Sequence, residues 1–73
     1  MLNQRDTQLV LEGYFKECFG FWKSEIKDER QAFEKAIRDI ECLTKDPYVP
    51  NGELLDVETK AEFIRYKKMD LGK

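Results

Sequence analysis

The residue types that perform chemistry are scarce in this chain, and their spacing fits no known arrangement. Histidine is absent, which removes the commonest general base and the commonest metal ligand. Ser24 is the only serine, and its place before Glu25 suits helix capping. No glycine-rich phosphate loop, GxSxG elbow or CxxC pair occurs, so nucleophilic and phosphate-binding motifs are missing. Glu58 and Glu62 stand at i,i+4, where two carboxylates repel weakly in solvent instead of sharing a proton. Asp56 and Glu58 follow the Asn51-Gly52 turn but lack the several fixed oxygen spacings of a calcium loop. These residues predict no catalytic group, no cofactor and no metal.

Cys18 and Cys42 do not suit a disulfide. In an antiparallel hairpin turning near Trp22 they lie about 20–25 Å apart at 1.5 Å per helical residue, whereas a bridge needs Cα atoms within about 7 Å. Cys18 reads as a small core residue and Cys42 as an exposed thiol. One basic-aromatic group exists, Arg65, Lys67, Lys68 and Lys73 beside Phe63 and Tyr66, the residue types that hold single-stranded nucleic acid by charge and stacking. Against that use, 15 acidic and 13 basic residues give a net charge of −2, without the basic excess of most nucleic-acid binders.

The elements that would position these groups are helical. Leu9 to Ile26 carries Tyr14, Phe15, Phe19, Phe21 and Trp22. At about 100° per residue its apolar side chains, Leu9 excepted, gather in an arc of about 180°. An ordinary surface helix needs only about 100°, so this one can serve two neighbours, within the chain or across a subunit boundary. Asn3 or Asp6 can cap its start. Its end is ambiguous. Gly20-Phe21 fits a Schellman stop followed by a Ser24 cap, yet residues 23–31 contain no Gly or Pro, and one helix from about 7 to 44 is the alternative. Glu29 would fall in the apolar stripe of that long helix, which favours a break between Phe19 and Asp28.

In the second helix Ala32, Phe33, Ala36, Ile37, Ile40 and Leu43 follow the i, i+3, i+4, i+7 rule. Arg30, Glu34, Arg38 and the pair Lys35, Asp39 form a charge ladder that reads as a solvated face. Asp46 before Pro47 ends that helix. Residues 45–52, KDPYVPNG, are a Pro-containing linker closing on an Asn-Gly turn, with Tyr48 and Val49 expected to fold back on the core, the alternative being a short exposed recognition segment. The third helix is predicted to bury a seam of Leu54, Val57, Ala61, Ile64, Lys68 and Leu71, at alternating intervals of three and four. The final LGK is expected to fray.

Seventy-three residues make one domain near the lower limit for a self-sufficient core. The expectation is a small all-α domain, a three-helix bundle with helices near 5–20, 25–45 and 54–70, with dimerisation as a way to complete so short a chain's core. MLNQRDTQ is no signal peptide, and no run approaches the about 20 apolar residues of a membrane span. Glu12 and Glu17 offset Lys16 and Lys23, which argues against a membrane-surface helix. The expected location is cytoplasmic. Surplus apolar surface without catalytic groups predicts a non-catalytic protein–protein interaction module, an adaptor or inhibitor whose partner is another protein or a second copy. Its contact candidates are Phe19, Phe21, Trp22, Tyr48, Phe63 and Tyr66, since aromatic side chains are the usual anchors. The alternative is a nucleic-acid accessory protein using Arg65, Lys67 and Lys68.

Overall fold

In the computed structural model, which describes residues 1–71, Asn3 begins the first helix. Its Oδ1 accepts from the Asp6 amide at 2.7 Å, and α1 runs Gln4–Glu25. The helix passes straight through Gly20, where an added Cβ would meet nothing within 4 Å. Glycine inside a helix costs about 1 kcal/mol. A stop there would release Trp22, which packs against the core, and large apolar burial contributes more than that. The chain turns instead at extended Ile26 (φ −122°, ψ 124°). Asp28 then caps α2, its Oδ1 accepting from the Arg30 and Gln31 amides at 2.9 and 3.3 Å. The break therefore falls at residues 26–28, later than the Gly20 stop, and neither the Ser24 cap nor one continuous helix forms. Ser24 lies exposed in the last turn of α1.

Helix α2, Glu29–Cys42, buries Ala32, Ala36, Ile37 and Ile40, the expected face. It ends three residues before the expected 45, because Thr44 and Asp46 are drawn into pairing with the far side of the linker. Lys45 and Leu54 form an isolated antiparallel bridge, flanked by Leu55 N–H to Thr44 O and Asp46 N–H to Glu53 O, both at 3.0 Å. The turn closes through left-handed Asn51 (φ 59°) and through Gly52, whose missing Cβ would stand 2.2 Å from the Asp46 carbonyl oxygen. Leu2 N–H also bonds to Leu54 O at 2.8 Å, which ties the start of the chain to this small ladder.

Helix α3, Val57–Leu71, begins later than the expected 54, and its inner face is not the predicted seam. Leu54 and Val57 are 52% and 70% exposed, while Leu55 and Thr59 are buried. Ala61 and Lys68 face outward and Phe63 and Ile64 are half-buried; the Leu71 side chain and residues 72 and 73, where fraying is expected, lie outside the described residues. The physical reason is that polar residues fill the inner line with their hydrogen bonds satisfied. The Asp56 amide donates to buried Thr7 Oγ1 at 3.1 Å, and Thr59 Oγ1 donates to the Asp56 carboxylate. Lys60 Nζ donates to Glu41 O at 3.1 Å and Leu43 O at 2.8 Å, placing a cation where the carbonyl end of α2 is electronegative.

Thr7 faces the start of α3 and Phe15 faces Phe63 further along, so α3 runs parallel to α1 and antiparallel to α2. The result is an all-α three-helix bundle. Its centre is Phe15, 7% exposed, whose ring meets the edges of Phe33 from α2 at 5.2 Å and Phe63 from α3 at 6.1 Å. The broad arc of α1 is thus covered from within the chain, by α2 on one flank and α3 on the other, except at Phe21, which stays 57% exposed.

Thr7→Val keeps the side-chain shape but leaves the Asp56 amide without its buried acceptor. Urea unfolding should show a loss of about 1–3 kcal/mol; an unchanged midpoint would remove this bond from the fastening of α3.

Candidate protein-contact surface

The six aromatic contact candidates separate into two groups. Phe19, Trp22 and Phe63 are half-buried against the core. Phe19 stands edge-on to Phe15 and Phe33 at 5.7 and 5.5 Å. Trp22 donates its indole N–H to Asp39 Oδ2 at 2.8 Å beneath the Lys35 ammonium, 5.3 Å from the ring. Asp39 and Lys35 therefore belong to the α1–α2 contact and are not simply a solvated ladder. Phe21, Tyr48 and Tyr66 remain outside, 57%, 49% and 62% exposed. Phe21 touches the edge of Trp22 at 5.1 Å and is otherwise open to solvent.

Tyr48 folds back onto the outside of α1 and not onto the core, and Val49 stays 53% exposed. An added Cβ at Gly13 would lie 3.3 Å from its hydroxyl oxygen, so glycine makes room for the ring. The hydroxyl donates to Glu17 Oε2 at 3.3 Å. Burial, reinforced by the Glu17 charge, pushes the Tyr48 hydroxyl up to about 12.

The basic group does not form one patch. Lys67 lies 4.8 Å over the Phe15 ring and 5.4 Å from that of Phe63, Lys68 pairs with Glu41 at 3.1 Å, and Arg65 is exposed. Arg65 and Lys67 diverge by about 200° around the helix. Lys73 lies outside the described residues.

Between α1 and α3 an open groove is lined by Phe15, Phe19 and Gly20, with Lys16, Lys23, Lys67 and Glu12 around it. Sequence reasoning did not assemble this groove. Its trace was the spacing Phe19–Lys23 and Phe63–Lys67, each i,i+4, which lays an ammonium over a ring on one helix face.

The remaining polar cluster joins α1 to α2. Burial, then the Asp39 charge, pushes the Cys18 thiol up to about 11, and burial also raises the neighbouring Tyr14 hydroxyl. A thiol held protonated at neutral pH is a poor nucleophile. Cys18 is half-buried, Cys42 exposed, and both are free. Among the described residues no group of three or more Cys, Asp or Glu side chains is arranged to hold a metal ion, and no helix is long and apolar enough to cross a membrane. No protein-family model, curated protein or solved structure matches the chain.

Tyrosine titration followed by NMR should show Tyr48 ionising near 12. Glu17→Gln should bring it down toward the ordinary value of 10.0. Because the folded value is the higher one, the stability linked to the neutral hydroxyl is fully present below pH 10 and lost as pH rises through about 12. An unshifted Tyr48, or one indifferent to Glu17→Gln, would break the link between loop and helix.

Proposed function

We propose that this protein is a small non-catalytic protein–protein interaction module, a cytoplasmic adaptor or inhibitor that acts by occupying a surface. One observation carries the reading. Phe21 and Tyr66 stand more than half exposed on helices, although most of the chain's other rings are turned inward. An aromatic side chain on a regular helix is held in place at little conformational cost, which is what interface anchors require. The width of the α1 arc no longer argues for a partner, since α2 and α3 cover all of it but Phe21. Leu9 and Met69, 61% and 58% exposed, add apolar surface on the same two helices. A second copy of the chain is the most economical partner.

The test is the double variant Phe21→Ala with Tyr66→Ala. Its unfolding free energy should stay within about 0.5 kcal/mol per site, because both side chains are exposed. Sedimentation from micromolar to millimolar concentration, beside capture from the native host, should show association that the variant weakens by about thirtyfold or more, as loss of interface anchors does. A chain that stays monomeric and captures nothing, or a variant that associates as the wild type does, would rule the reading out.

A further inference from the structure

The groove between α1 and α3 has an aromatic floor and a cationic rim. Lys23 Nζ lies 5.5 Å from the Phe19 centroid, and Lys67 covers Phe15 and Phe63. Among the described residues, Lys16, Lys23 and Lys67 form no ion pair, and Glu12 is the only acid lining the groove. Lys23 and Lys67 therefore rest over rings and Lys16 lines the same groove, none of the three within ion-pair distance of a described carboxylate. Beside Phe19, Gly20 leaves open space where any other residue would project a side chain.

We propose that this groove docks an acidic segment of a partner protein, its carboxylates meeting Lys16, Lys23 and Lys67 and one apolar side chain entering the open space at Gly20. The proposal rests on the interaction-module reading and names the partner's chemistry. Charge complementarity selects an acidic occupant. The rings select a protein over a nucleic acid, because ammonium groups already cover the ring faces on which bases would stack. A second copy could offer Phe21 between Glu17 and Glu25, but Glu17 already accepts from Tyr48, so its acidic flank is partly engaged.

The probe is a short synthetic peptide with glutamates flanking a Leu-Phe pair, titrated into the labelled protein by NMR. Its Gln-for-Glu counterpart and an oligothymidine serve as competitors. Amide shifts should centre on Lys16, Phe19, Gly20, Lys23 and Lys67, and the Gln peptide should bind about tenfold more weakly. Lys16→Glu with Lys23→Glu should weaken the Glu peptide by a similar factor. Gly20→Gln should abolish docking while the far-ultraviolet spectrum and unfolding midpoint stay at or above wild type, since its side chain enters open space. The proposal fails if the two peptides bind alike, if docking survives Gly20→Gln, if the oligothymidine takes the groove, or if raising the protein concentration alone produces the same shifts. Should the Glu peptide fail while the Phe21/Tyr66 variant still loses its partner, the groove assignment falls and the module reading stands.

Discussion

The bundle depends on one ring being shared three ways. Phe15 is nearly sealed and meets Phe33 of α2 and Phe63 of α3 edge-on. Edge-to-face pairs of this kind contribute about 0.5–1.5 kcal/mol each beyond the area they bury. Two shorter helices must converge on a single point of α1, so α1 has to be apolar across a wide arc. Its 22 residues span about 33 Å at 1.5 Å per residue, close to the 35 Å long dimension of the molecule. The other helices, of 14 and 15 residues, lie along this spine.

Around that centre the two ends are held by different physics. Toward the start of α1 the fastening is polar: Thr7, Asp56 and Thr59 bond α3 to α1, Lys60 bonds it to the end of α2, and the linker ladder takes in Leu2. No buried side-chain nitrogen or oxygen among the described residues is left without a partner, so these inward polar groups do not carry the penalty of an unmet bond. Toward the end of α1 the fastening is largely aromatic, with Phe19 edge-on to Phe33 and the Trp22 indole bonded to Asp39.

How much of this was legible follows from which signal each element used. Helix α2 announced itself through apolar periodicity, and Asn3 through its capping chemistry, because both signals are local. The Asn51-Gly52 turn was legible for the same reason. Gly20 misled because a glycine's helix penalty is visible in sequence while the packing of Trp22 that outweighs it is not. The α3 seam was misplaced because hydropathy scores Thr59 and Lys60 as outward residues, although partners on other helices satisfy them. Among the contact candidates, residue type identified the rings but not their sides. Phe19, Phe63 and Trp22 turned inward and Phe21 and Tyr66 outward, a division set by where α2 and α3 pack on α1.

Trp22 is the chain's only tryptophan. Its recorded neighbours, Asp39, Lys35 and Phe21, all belong to α1 or α2. Its emission is therefore a gauge of one hinge of the molecule: it registers the hairpin opening and is nearly blind to α3 lifting away. A melting curve followed by tryptophan emission records the clasp between the first two helices, and a second probe, such as backbone dichroism, tells whether the third departs with them.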